Sequence, residues 1–176
     1  IDNINNSDKI SDIETLKNQL YISYKTGGVS KLRDRKLEAI YTSKEKKPTI
    51  LAKDNKESSL FFIADMTLFK LNGSLEKILS IGYPYQLKFI ENDVLAFSSY
   101  SGYYKIINKI KSDKTITIKK TYDFVNYHNY LYLGTYSGLY KTQNQKVKSN
   151  LLNKRVNKLV VINDNLVVGT NGDGLY

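Results

Sequence analysis

The chain has 176 residues, 41% of them hydrophobic and 12% aromatic, enough to bury a sizeable core and too apolar for a disordered polymer. It has no cysteine, which excludes disulfides, and one histidine, which argues against zinc or copper. No apolar run approaches the ~18 residues that cross a bilayer. The net charge of +10 invites a nucleic-acid reading, but only Arg33, Arg35 and Arg155 supply the forked guanidinium that phosphates and bases favour. The lysines are scattered and read as solvated turns and strand faces, so no nucleic-acid partner is expected.

Taken in order, the elements recur. The first copy is Leu20-Tyr-Ile-Ser-Tyr-Lys-Thr-Gly-Gly-Val-Ser-Lys31, followed by a worn copy, Leu60-Phe-Phe-Ile-Ala-Asp-Met-Thr-Leu-Phe-Lys70. Leu95-Ala-Phe-Ser-Ser-Tyr-Ser-Gly-Tyr-Tyr-Lys105 and Leu131-Tyr-Leu-Gly-Thr-Tyr-Ser-Gly-Leu-Tyr-Lys141 come next and align without gaps. Leu166-Val-Val-Gly-Thr-Asn-Gly-Asp-Gly-Leu-Tyr176 needs one inserted residue, as does the first copy. A fixed period of roughly 36 residues means one structural unit used about five times, with approximate bounds 6–40, 41–81, 82–118, 119–153 and 154–176.

Each copy opens with an alternating or wholly apolar run, such as Tyr85 to Ile90 or Val156 to Ile162. A polar turn follows (Lys17-Asn18-Gln19, Glu91-Asn92-Asp93, His128-Asn129, Asn163-Asp164-Asn165), then a second strand, a turn with glycine and a third strand. A weaker fourth strand closes the copy, expected at 75–81 and 115–118. Short β-branched and aromatic runs between turn signals are the all-β pattern, and four strands in such a period make one β-propeller blade. Solenoid coils are shorter, so the chain reads as an all-β propeller of four-stranded blades or a part of one. Gly28, Gly102, Gly138 and Gly174 share the turn between strands two and three; Thr67 replaces them in the second copy, whose turn should differ. The small residues Ser23, Ser98, Gly134 and Gly169 allow a neighbouring backbone to approach. The chain opens at Ile1 without a starting Met or signal peptide and stops in mid-copy, so a piece of something longer or a trimmed product is expected. Either 1–5 completes the last blade and closes a five-bladed ring, or the ring is larger and the ends are open.

The run from Val160 to Tyr176, and Tyr130 to Lys141, resemble the two-component regulator propeller repeat, roughly a strand followed by Asp-x-x-x-Leu-Trp-Ile-Gly-Thr-x-x-Gly-Leu. Two copies match well, three are degenerate, and the period extends the likeness over nearly the whole chain. The family's Trp is replaced by Tyr21, Phe61, Ala96, Tyr132 and Val167, a blade-packing position, and five copies fall short of the usual seven blades. The resemblance implies the extracytoplasmic, periplasmic sensor of a bacterial hybrid histidine kinase or related regulator; some such sensors answer to polysaccharide fragments.

Chemistry-bearing motifs are sparse. His128 sits in a turn, with no nucleophile and carboxylate to either side of it in a recognisable triad. Paired carboxylates of glycosidase type would have to come from Asp12, Glu14, Asp65, Asp123 and Asp173, none in a recurring motif, and Asp12 with Glu14 reads as a solvated edge. Asn171-Gly-Asp-Gly174 lacks the further acids of a calcium loop. No catalytic residue, metal or cofactor is expected. In a propeller the second-to-third turns and the blade connections gather around one opening. The ligand-binding residues expected there are Tyr24, Asp65, Tyr85, Tyr100, Tyr122, Tyr136, Arg155 and Asn171, with Tyr24, Tyr100 and Tyr136 sharing one repeat position. Tyrosines with a few polar groups suit a sugar or another amphipathic small molecule; Tyr21, Tyr132 and Tyr140 read as packing. The expected function is a non-catalytic sensor that binds a small-molecule or oligosaccharide ligand and passes the signal to an output domain, with self-association as a further option. The alternatives are a stand-alone protein-interaction propeller and a carbohydrate-active enzyme.

Overall fold

The computed structural model describes residues 9–90, 94–107, 110–111 and 116–176. The expected turn at 91–93 and the strand-completing stretch 1–5 lie outside them. The chain divides into two compact units, Ile1–Tyr83 and Pro84–Tyr176.

The first unit holds two four-stranded antiparallel sheets in simple meander order. One is β1 (Ile10–Leu16), β2 (Gln19–Tyr24), β3 (Val29–Arg33) and β4 (Lys36–Tyr41). The other is β5 (Ile50–Lys53), β6 (Leu60–Ala64), β7 (Thr67–Asn72) and β8 (Ser74–Ser80). The second unit repeats the scheme with β9 (Pro84–Ile90), β10 (Val94–Ser99), β11 (Gly102–Ile107) and β12 (Ile110–Lys111), then β13 (Thr121–Tyr127), β14 (Tyr130–Thr135), β15 (Leu139–Gln143) and β16 (Lys146–Leu152). It ends in the two-stranded sheet of β17 (Val156–Ile162) and β18 (Asn165–Thr170). Beyond β18 the chain turns back, with mutual amide bonds between Val168 and Tyr176 and a bridge from Gly169 to Leu175. The fourth strand of the third sheet is β12, which pairs with β11; of the stretch expected at 115–118, residue 115 lies outside the described residues and Ile116 bridges to Tyr103.

Burial explains the strand compositions. Second strands are enclosed on both faces, Phe62, Ala96, Phe97 and Leu133 being almost fully buried, so they read as continuous apolar runs. Outer strands β4, β8 and β16 are largely exposed, and their lysines and glutamates keep these edges from pairing with other chains. First strands lie against the next first strand, β1 beside β5, and β9, β13 and β17 in series. The cores therefore sit between successive sheets. Leu16, Tyr21 and Val29 meet Leu51, Leu60, Phe62 and Phe69 in the first unit. In the second, Ala96 and Tyr103 meet Phe124 and Leu133, while Tyr132 and Leu139 meet Val156, Leu159 and Val168. Tyr21, Ala96 and Tyr132, which stand where the resembling family has Trp, are packing residues in these clusters.

Among the described residues, six hairpins turn on two residues that both have positive φ, the type I′ geometry that matches strand twist: Lys17-Asn18, Asp34-Arg35, Asp65-Met66, His128-Asn129, Asn144-Gln145 and Asn163-Asp164. Asp65-Met66 is the divergent turn anticipated from Thr67. Two glycines carry separate duties. A Cβ on Gly138, at φ +155°, would lie 2.4 Å from the Leu152 carbonyl, whereas one on Gly134 would lie 2.7 Å from Cγ1 of Val156 on the next first strand. The second is the close backbone approach expected of a small residue there.

Candidate functional site

A basic residue immediately precedes three of the first strands: Lys9 before β1, Lys120 before β13 and Arg155 before β17. Its carbonyl accepts the amide of a residue in the β-turn of its own sheet, from Lys25, Tyr136 and Asn171 respectively. This bond pins the turn beside the connection and holds basic and turn side chains together at one end of each sheet.

In the second unit that arrangement builds two groups of cations and aromatic rings at this end. The Lys120 ammonium lies 4.4 Å from the centre of the Tyr136 ring and 5.8 Å from that of Tyr100, and its amide donates to the Tyr100 carbonyl at 2.7 Å. Lys120 holds φ at +53°, a left-handed backbone that only local restraint sustains in a lysine. Alongside, Arg155 stacks 4.7 Å over Tyr122, whose ring is 5.0 Å from Tyr85. Arg155 Nε donates to Asn157 Oδ1, and Asn157 Nδ2 donates to Asn171 Oδ1. Tyr85, Tyr100 and Tyr136 remain 42%, 57% and 55% exposed, open to a ligand. Six of the eight expected ligand residues (Tyr85, Tyr100, Tyr122, Tyr136, Arg155 and Asn171) thus fall on this one end of the second unit. Lys120 and Asn157 complete the set. Asn157 had no motif to announce it; the basic residue before the first strand was the available signal.

Tyr24 and Asp65 belong to the first unit and do different work. Pairing of Ile10 with Tyr24 and of Thr121 with Thr135 puts Tyr24 level with Thr135, not with Tyr100 and Tyr136 as expected; Lys25 holds the turn position. Asp65 accepts hydrogen bonds from the Tyr41 and Ser43 hydroxyls and from the amides of Lys44 and Glu45. Burial opposes its charge, but these four donors outweigh it and hold the carboxyl well below the usual range. Burial, then the bond to Asp65 and its charge, push the Tyr41 phenol up to about 12. With four donors on its two oxygens, Asp65 clamps the 41–45 loop.

The other acids have similar occupations. Asp123, 1% exposed, accepts the amides of Phe124 and Leu159 at 2.8 and 2.9 Å and pairs with the Lys88 ammonium, while Lys158 lies 3.5 Å away. Burial lowers the Lys88 pKa, and Asp123 offsets this only in part. Asp12 occupies the same repeat position and ties the amides of Ile13 and Leu51, so it is an inter-sheet link and not the solvated edge expected. Glu14 faces Lys53 at 3.8 Å, and Asp173 pairs with Lys154 at 2.9 Å. His128 begins a turn, 3.5 Å from Asp164. Among the described residues no three His, Cys, Asp or Glu side chains are placed to share a metal, and no helix is long and apolar enough to cross a membrane.

An all-β chain of successive four-stranded meanders, packed first strand to first strand, has the construction of β-propeller blades, and solved propellers are what it is similar to. The extracellular domain of a putative hybrid two-component system from B. thetaiotaomicron superposes with a TM-score of 0.72 at 16% identity, over 100% of this chain and 27% of that one. The WD40 β-propeller domain of Doa1 gives 0.73 at 15% identity, over 96% and 64%. A putative gluconolactonase gives 0.66 at 13%, over 94% and 72%. At these identities the likeness is one of fold. The chain spans less than two thirds of the length of the first two. No protein-family model and no curated protein matches the sequence.

Proposed function

We propose that this chain is a non-catalytic, ligand-binding portion of a propeller sensor, extracytoplasmic and belonging to a two-component signalling protein. The observation that carries the reading is the group of exposed Tyr85, Tyr100 and Tyr136 and half-buried Tyr122, interleaved with Lys120 and Arg155. Aromatic faces bury the apolar side of a sugar-like ligand, and the two cations, which pair with no carboxylate among the described residues, favour one carrying an acidic group. Signalling needs no chemistry here: a ligand that binds one arrangement of the blades better shifts the population toward it. The structural likeness to a two-component extracellular domain supports the class, and the engagement of all five candidate carboxylates in structural bonds supports a non-catalytic role.

The test is a melting-temperature screen of this chain with neutral and uronate-containing oligosaccharides. A ligand at 100 times its dissociation constant stabilises by about 2.7 kcal/mol, a shift of several degrees. Loss of that shift in Lys120→Ala and Tyr136→Ala supports the reading; a response to no glycan, or one indifferent to both changes, sinks it.

A further inference from the structure

The hydrogen-bond chain that starts at Arg155 and passes through Asn157 ends on Asn171, and the residue after Asn171 is a glycine. Both lie in the loop beyond β18. Thr170 closes this loop, its amide and its hydroxyl donating to the Gly174 carbonyl at 3.1 and 2.8 Å. Gly172 is exposed at φ +97°, and a Cβ placed on it would meet nothing within 4 Å. Its amide donates to no described residue.

An asparagine cyclises when the amide nitrogen of the next residue adds to its side-chain carbonyl carbon, and this loop favours that step. The nucleophile, the Gly172 nitrogen, is untethered, open to water and not shielded by a side chain. The electrophile is held, because the Asn171 amide donates to the Arg155 carbonyl at 3.0 Å. Asn171 Oδ1 also accepts from Asn157 Nδ2 at 3.2 Å, so a donor already stands on the oxygen that takes up negative charge as the nitrogen adds. The Arg155 guanidinium, donating to Asn157 Oδ1, polarises that donor further. The sequence holds one other Asn-Gly step, Asn72-Gly73, and the structure separates the two. Asn72 ends β7 and pairs with Ser74 across the turn, a ladder that resists the backbone rotation ring closure needs. Its side chain accepts no hydrogen bond from a described residue.

We propose that Asn171 is a self-modifying position that deamidates through a succinimide. The Gly172 nitrogen gives its proton to water and bonds to Cγ of Asn171. The bond from Cγ to Nδ2 then breaks, and Nδ2 takes a proton from water and leaves as ammonia. A water molecule adds to one of the two imide carbonyls and the ring opens, which leaves aspartate or isoaspartate at 171. Either product puts a carboxylate where a neutral amide received the Asn157 donor, at the end of the chain that orients Arg155. This end of the second unit thereby becomes less cationic. Weaker binding of an acidic ligand by an aged chain rests on the reading under Proposed function, whereas the chemistry at Asn171 does not.

The test is a time course of this chain at neutral pH, sampled by tryptic mapping with fragmentation of each peptide. Peptides 71–77 and 159–176 each carry one Asn-Gly step, so both are timed in the same sample. Conversion reads as the gain in mass when an amino group is replaced by a hydroxyl. Isomerisation at Asp173, which also precedes a glycine, leaves the mass unchanged and is not counted. Asn171 is expected to convert ahead of Asn72. Asn157→Asp keeps an acceptor for Arg155 and removes the donor to Asn171; Asn157→Ala removes both. Each should slow Asn171 about two- to tenfold, the worth of one hydrogen bond in a barrier, with Asn72 unchanged. A variant that unfolded would free both steps alike, so a steady Asn72 rate certifies the fold. Conversion at Asn72 that equals or outruns Asn171 overturns the proposal. So does an Asn171 rate that fails to fall in Asn157→Asp.

Discussion

Asp123→Leu should be among the most damaging single changes in the second unit. The carboxylate is 1% exposed and links two successive sheets through the amides of Phe124 and Leu159. Removing it strands two buried donors at about 1–3 kcal/mol each. It also leaves the Lys88 ammonium, whose side chain is 27% exposed, without a counter-charge, held by the Phe124 carbonyl at 3.1 Å and lying 5.6 Å from the Phe124 ring centre. Breaking a buried pair from one side costs about 3–5 kcal/mol, part of which is the same loss counted at the amides, so about 4 kcal/mol is expected in all. For a chain of this size that is a fall of about 8–16 °C in melting temperature. The assay is urea unfolding followed by circular dichroism, where the midpoint should drop with little change in slope. Adding Lys88→Met removes the stranded charge and should restore about 1–2 kcal/mol. Asp173→Leu, which breaks the exposed pair with Lys154, should cost less than about 1 kcal/mol. A loss below about 1 kcal/mol in Asp123→Leu, or no recovery on adding Lys88→Met, would refute the inter-sheet tie.

Other outcomes follow from the same geometry. Gly134→Ala drives a methyl to 2.7 Å from Val156 Cγ1 and should cost about 1–3 kcal/mol by thermal melting. Gly169→Ala, at the equivalent position, meets nothing closer than 3.5 Å and should stay within about 1 kcal/mol. Because the folded pKa of Asp65 is depressed, its contribution is complete above its unfolded pKa and is lost as pH falls through the lower folded value. Asp65→Asn should therefore flatten the acid limb of a stability–pH profile. Tyr41 has the opposite sense: raised from 10.0 to about 12, it stabilises fully below pH 10.0, and that contribution disappears as pH rises to about 12. Tyr41→Phe should remove this alkaline loss in a denaturation series.

The repeat was legible because it is written in side chains whose roles are local. Leu131, Gly134 and Gly138 mark a strand, a close approach and a turn within a few residues, so the meanders follow from the motif alone. Tyr85, Tyr122 and Arg155 could be placed on one end by the same periodicity. Ties between copies were not legible. Asp12 and Asp123 share a position with Gln86 and Lys158, so no motif repeats there, and their partners are main-chain amides a full period away. Tyr24 was misplaced because the first copy has an insertion in its turn, and only the strand register shows on which side of Tyr24 it falls. Asp65 aligns with Tyr100 and Tyr136 but serves its neighbour's loop, which burial and hydrogen bonding disclose and spacing does not.

The cores of each unit lie between sheets and not within them, and this bears on how the chain tolerates sequence drift. A sheet is stabilised through what it presents to the adjoining ones, so its own residues are free to change provided the shared surface is matched from the other side. The worn second copy illustrates the rule: it lacks the turn glycine found in the other four, and its Asp65 is matched by Tyr41 and Ser43 from the copy before it. Selection then acts on neighbouring pairs of copies. Degenerate and regular repeats can coexist in one chain, and a copy that looks decayed when aligned by itself can be well adapted to its neighbour.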